Sequence, residues 1–261
     1  MIDAHCHLTF RNFESNRDEV IKDSMLSMDA IVDSAASMQD SEKSIKLAEK
    51  HPNFIFSCVG LHPEEIPKLT SKQIDSQIEF IKSNSKKIVA IGEVGIDNFH
   101  VKDEQARKKC SEVFVQFIEL AKEIDKPLVI HSREDNGEAI KILENNGAKK
   151  VIMHCFGAEL FAKQVAENKW FASIPTLIVR SKKHKRIAQS IPLELLLTET
   201  DSPFLSPVQG ETNVPKNVRV VVEAIAAEKG ITFEEANEAT TKNAIRAFNL
   251  PLNFRSMKKI E

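Results

Sequence analysis

Short β-rich apolar runs recur along the chain, with polar, helix-spaced segments between them. The runs are Met1–His7, Ala30–Ala35, Phe54–Leu61, Ile88–Gly95, Leu128–His131, Val151–Phe156, Trp170–Ile174 and Leu195–Thr200. Between them, Glu104–Ile124 carries Val113, Phe114, Phe117, Ile118 and Ala121 in the i, i+3, i+4 stripe of an amphipathic helix. Ser41–Glu49, Gln73–Ser83, Gly137–Asn146 and Leu160–Asn168 read as shorter helices, and two more fall around Val218–Lys229 and Phe233–Phe248. Strands that alternate with helices pair in parallel, and eight such units predict an α/β fold, a closed (β/α)8 TIM barrel forming a single domain over residues 1–261. An open doubly wound sheet is the runner-up. It usually carries a Gly-rich phosphate turn after its first strand, where this chain has Leu8-Thr9-Phe10.

Composition narrows the setting. The 261 residues suit one barrel, and a formal net charge of −2 argues against a protein that coats a nucleic-acid duplex by bulk electrostatics. Any recognition of phosphate must be local. Cys6, Cys58, Cys110 and Cys155 show no C-x-x-C spacing and read as reduced thiols. No apolar run reaches the roughly 18 residues needed to span a bilayer, and the first residues enter a strand without a signal peptide. The expectation is a soluble cytoplasmic monomer with no membrane partner.

Barrels place their chemistry at the C-terminal ends of the strands. Side chains two apart on a strand share a face, so His5 and His7 present two imidazoles together while Cys6 faces away. Strand four ends at Glu93, strand five at His131, strand six at His154, and strand eight in Glu199-Thr200-Asp201. A lone histidine on a strand is usually a hydrogen-bonded core residue; this many together at strand ends point to metal. Imidazole and carboxylate without thiolate suit Zn²⁺, Mn²⁺ or Mg²⁺. Six ligands exceed the needs of one catalytic zinc, so two divalent ions are expected. His5, His7 and Asp201 would hold one, His131 and His154 the other, with Glu93 between them. Such a pair activates water for hydrolysis.

The segments Asp3-Ala4-His5-Cys6-His7-Leu8, Gly60-Leu61-His62-Pro63, Gly92-Glu93-Val94-Gly95-Ile96-Asp97, His131-Ser132-Arg133, His154-Cys155-Phe156 and Glu199-Thr200-Asp201-Ser202-Pro203 resemble, in order and spacing, those of the TatD family of metal-dependent hydrolases. The resemblance runs over nearly the whole chain. It implies a barrel with these six metal ligands, a DNase or related phosphodiesterase activity of the 3′ exonuclease kind, and His62 near the substrate. Departures concern substrate contacts: Gly157 follows Phe156 directly, Thr212-Asn213-Val214-Pro215 keeps only the Asn and Pro of the family's usual segment, and Phe99 stands in for an aromatic displaced from the Gly-x-Asp turn.

The remaining candidates each carry two readings. Glu199, two before Asp201, either orients an attacking water or, as we favour, holds a metal-bound histidine. Asp201 is expected to combine metal contact with proton acceptance. His62 either donates to the scissile phosphate or caps the turn before Pro63. Arg133 either meets phosphate or pairs with Glu134 or Asp135. The basic run from Arg180 through Lys182 to Arg186 is either a solvated helix face or a phosphate contact on the loop after strand seven. Phe99, Phe156 and Phe204 are the candidates to stack a terminal base. The expected partner is nucleic acid, as single-stranded or frayed DNA ends. Hydrolysis of an ester or amide such as an aminoacyl-tRNA is the second enzyme reading, and a non-catalytic metal-binding scaffold is the third.

Overall fold

The apolar runs become eight strands: β1 (Ile2–Cys6), β2 (Ala30–Ala35), β3 (Ile55–Val59), β4 (Ile88–Asp97), β5 (Leu128–Arg133), β6 (Val151–Met153), β7 (Phe171–Ile174) and β8 (Leu196–Thr198). The structure is a computed structural model and describes residues 1–253; residues 254–261 of the expected domain lie outside the described residues. The strands pair in parallel in sequence order, β1 through β8. The sheet then closes on itself. Thr198 Oγ1 donates to the Ile2 carbonyl at 2.9 Å. The Asp201 N–H reaches the His5 carbonyl at 3.0 Å and the His7 N–H reaches the Ser202 carbonyl at 2.7 Å. This seam makes the architecture a (β/α)8 barrel and excludes the open sheet.

Helices connect the strands and cover them: α1 (Arg17–Met25), α2 (Met38–Lys50), α3 (Ser71–Ser83), α4 (Glu104–Glu123), α5 (Asn136–Asn145), α6 (Ala162–Glu167), α7 (Lys182–Ser190), α8 (Val218–Lys229) and α9 (Phe233–Phe248). Side-chain caps start several of them, including Ser37 before α2, Asp103 before α4 and full capping boxes at Thr70/Gln73 and Thr232/Glu235. One helix was not anticipated, and a second settles an open reading of the basic run. α1 buries only Val20, Ile21 and Ser24 and so lacks a legible apolar stripe. α7 arises from the basic run itself, burying His184, Ile187 and Ala188. The segment Leu160–Asn168 splits into a single 3₁₀ turn at Glu159–Phe161 and the short α6.

Two apolar shells hold the fold. The outer one lies between helices and strands, with Phe114, Phe117 and Ile118 of α4 fully buried in it. The inner one fills the barrel axis with Ile2, Ala4, Ala30, Val32, Cys58, Val129 and Leu197, and Phe248 at the end of α9 packs with it. All four cysteines are free, and three are buried. Among the described residues, no helix is long and apolar enough to cross a membrane.

Candidate metal centre

Strict alternation along β1 would set His5 and Ala4 on opposite faces, yet both turn inward. The register against β2 shifts between Asp3 and Cys6, so Ala4 lines the barrel axis while His5 and His7 aim at its mouth. Cys6 packs in the outer shell, as expected. A bulge of this kind re-aims side chains. β4 repeats the device, with a register shift between Ile91 and Val94 that brings Glu93 inward one residue out of phase with Ala90. Glycines make the close passage possible. A Cβ on Gly95, whose φ is +141°, would sit 2.0 Å from the His131 carbonyl oxygen, and one on Gly60 would meet the Gly92 carbonyl carbon at 2.8 Å. Just past β6 and β8 the backbone turns left-handed, at Cys155 with φ +44° and at Asp201 with φ +56°. Such conformations cost a non-glycine residue about 1–3 kcal/mol and cluster at functional sites.

The six ligand candidates converge. Glu93 divides its oxygens: Oε1 lies 3.4 Å from His5 Nε2 and 3.3 Å from His7 Nε2, while Oε2 lies 3.2 Å from His131 Nδ1 and 3.4 Å from His154 Nε2. Asp201 Oδ1 stands 3.3 Å from His7 Nε2 and 3.8 Å from His5 Nε2. Most of these separations exceed a hydrogen bond of about 2.7–3.2 Å. They match the spacing of two ligands on one ion, about 3.4 Å for bonds of roughly 2.1 Å at a tetrahedral angle. His5 Nε2 is buried with no hydrogen-bond partner, which is costly unless something else fills the position. The donor set therefore fits divalent metal.

Behind each inward nitrogen, its ring partner is tied to the protein. His7 Nδ1 meets the Ser34 carbonyl at 2.7 Å and His5 Nδ1 meets Ser34 Oγ at 3.1 Å. His154 Nδ1 meets Glu199 Oε2 at 3.1 Å, and His131 Nε2 meets Asp97 Oδ2 at 3.1 Å. A carbonyl or carboxylate behind the ring takes its N–H and leaves the opposite lone pair facing the cluster, the arrangement found behind metal-binding histidines. Asp97 was not singled out from sequence. Its signal was available: it closes the same Gly-x-Asp turn four residues after Glu93.

Electrostatics agree. Burial works against ionising Glu93, but the imidazoles of His5 and His154, with His131 bonded to it, hold its carboxyl well below the usual range. Burial disfavours a charged His7, yet bonding to Asp201 and the charges of Glu93 and Asp201 outweigh it and push the ring up to about 9. The same contest, with Glu199 and Glu93, pushes His154 up to about 10. An acidic cradle thus draws positive charge.

The other expected residues divide. Glu199 has an imidazole partner in His154, and its Oε1 is buried without one. His62 lines the pocket, its Nδ1 accepting the Glu64 N–H at 3.3 Å. Burial pushes it down to about 3. It is therefore neutral and carries its proton on Nε2, so capping the turn leaves that N–H free to donate. Arg133 lines the pocket with its guanidinium 4.2 Å from the Phe99 ring centroid. Its two suggested partners are engaged elsewhere: Glu134 lies 3.8 Å from Lys102, and Asp135 caps α5. Arg180 and Lys182 are not brought to the pocket: Arg180 donates to the Ser206 carbonyl at 2.7 Å and Lys182 opens α7. Arg186 pairs with Glu159 at 2.8 Å and Lys185 with Glu228 at 3.5 Å, so this run behaves as a helix face. Phe156 is buried and cannot stack a base.

A parallel barrel with four imidazoles and two carboxylates facing one another at its C-terminal mouth defines the class of metal-dependent hydrolase barrels. Comparison with known proteins narrows it. A family model described as TatD related DNase matches residues 2–249, and the chain belongs to that family. It is 37% identical over 248 residues to an uncharacterized metal-dependent hydrolase of Methanocaldococcus jannaschii, covering 95% of this chain and 96% of that protein. It is 34% identical over 259 residues to the human deoxyribonuclease TATDN3, covering 95% and 94%. The crystal structure of the TatD homologue YJJV from Escherichia coli shares the fold with a TM-score of 0.88 at 24% identity, covering 96% and 98%.

Proposed function

We propose that the protein is a two-metal phosphodiesterase that removes nucleotides from DNA ends. The observation that carries this reading is the division of Glu93, one oxygen toward His5 and His7 and the other toward His131 and His154. A carboxylate so placed suits a bridge between two ions. His5, His7 and Asp201 would hold one ion, and His131 and His154 the other. When bound, the ions supply Lewis acidity toward a phosphoryl oxygen and lower the pKa of water.

The remaining work falls to side chains. Asp201 stays ionised: burial opposes its charge, but His7, His154 and His5 together lower its pKa. It also faces the pocket, where it can accept the proton of an attacking water. His62, neutral with its proton on Nε2, donates to a phosphate oxygen or to the leaving oxygen. Arg133 is held on Phe99 with no carboxylate in ion-pair range among the described residues, and a guanidinium in this state suits phosphate. Glu199 and Asp97 keep His154 and His131 in register. The name of the human relative, a deoxyribonuclease, supports DNA as substrate.

The test is release of mononucleotides from end-labelled single-stranded DNA with Zn²⁺, Mn²⁺ or Mg²⁺, run beside an aminoacyl ester. Glu93→Gln should abolish release and lower the metal content. Faster turnover of the ester, or no metal-dependent release from DNA, would overturn the nuclease reading.

A further inference from the structure

Phe204, 47% exposed, is one of the few large apolar side chains left open to solvent, and it lines the same cavity of about 1030 Å³ as Glu93 and Asp201. Its neighbours are fixed. Phe10 stacks on His7 with centroids 4.4 Å apart and planes 16° apart. Phe204 stands edge-on to both rings, 6.1 Å from His7 and 6.1 Å from Phe10. His7 thus occupies one face of Phe10, while the Phe204 side chain stays half open to solvent at the cavity wall. The other candidate platforms are spent: Phe156 is buried, and Phe99 carries the Arg133 guanidinium.

We propose that Phe204, braced by Phe10, is the stacking platform for the terminal nucleobase of the strand whose phosphate meets the metal centre. This rests on the nuclease reading above and names the part of the substrate that selects for an unpaired end. An aromatic face accepts any base, so the platform is tolerant of sequence. A paired terminal base is already stacked and hydrogen-bonded in its duplex and must leave it first. The rest of the cavity explains why it takes an end and not a through-running strand. Among the described residues Arg133 is the one Arg or Lys in its lining, whereas Asp40, Glu64 and Glu65 all face it. A second and third phosphate running along that wall would meet carboxylates. The base therefore lies on the aromatic side, one sugar away from the phosphate at the ligand cluster.

His7 is held by the Ser34 carbonyl and faces Glu93 and Asp201 without help from Phe204, whose ring centroid is 6.1 Å away, so truncating Phe204 spares the ligand candidates. Two single-stranded oligonucleotides of one sequence provide the test, one with a complete terminal nucleotide and one whose terminal residue lacks its base. On the complete strand, Phe204→Ala should raise KM by about 5- to 150-fold, the loss of one base–aromatic stack. The kcat and metal content should stay near the parent values, and Phe204→Trp should restore KM. On the strand without its terminal base, the parent protein should already show the raised KM and Phe204→Ala should add nothing, the coupling expected of a double-mutant cycle. An equal KM penalty on both strands, or none on either, overturns the platform. Anisotropy of the two labelled strands measures the same coupling at equilibrium. If the parent protein cleaves neither strand, the nuclease reading fails, and the binding measurement still decides the platform.

Discussion

Asp97 acts on the centre at one remove. Its Oδ1 accepts the N–H groups of Phe99 and His100 at 2.9 and 2.8 Å, which locks the carboxylate, and its Oδ2 meets both His100 Nδ1 and His131 Nε2. A carboxylate fixed this way selects one tautomer of His131, the one whose Nδ1 lone pair faces Glu93. Removing such an orienting group typically costs about 10- to 100-fold in metal affinity or activity. Asp97→Ala should therefore weaken divalent-metal binding by about that factor, read by competition with a chelating dye. Asp97→Asn, which can still accept from Nε2, should recover part of it. Equal affinity in parent and Ala variant would show that His131 needs no such support.

Among the elements, β4 carries the tightest constraint, because Gly95 passes directly over the backbone of β5. Gly95→Ala would drive its Cβ into the His131 carbonyl, 2.0 Å away, and strain a φ of +141° as well. The expected outcome is a protein that retains the barrel by circular dichroism, melts at lower temperature, and binds divalent metal more weakly. Much of this architecture was legible. The period of apolar runs located all eight strands, and the residue types at their ends picked out the six side chains that converge at the barrel mouth. What escaped depends on tertiary context. Simple alternation gave the right facing for His5, His7 and Cys6, but it could not show that register shifts at β1 and β4 turn Ala4 and Ala90 inward as well. Nor could it find α1, whose stability comes from neighbours and not from its own stripe. The basic run stayed open between a helix face and a phosphate contact for a related reason. Charge is visible in sequence, but the pairing of Arg186 with Glu159 and Lys185 with Glu228 is made only by folding.

For the whole molecule, the concentration of raised and lowered pKa values in one place makes stability a function of pH and metal together. His7 and His154, raised to about 9 and 10 from 6.5, contribute stability that is fully present below pH 6.5 and lost as pH rises through 9 to 10. Glu93 and Asp201, lowered, contribute stability present above their ordinary values and lost as pH falls beneath them. With metal removed by chelator, the melting temperature should peak near pH 6.5, because His5 and His62, both lowered from that value, lose stability as pH falls beneath it, and should decline toward pH 9. With metal restored, the alkaline decline should vanish, because the cation replaces the protons. A chelated protein whose melting temperature holds steady or climbs from pH 6.5 to 9 would contradict this assignment of charge.

The seam between the first and last strands has a consequence for how the chain comes to be active. His5 and His7 belong to the first strand, whereas the carboxylate of Asp201 that stands against His7 follows nearly two hundred residues later, and the bonds that join them span that whole separation. Contacts so distant in sequence are slow to form because a long loop must close first. On the ligand set proposed above, the cation has no complete site until the eighth strand has docked.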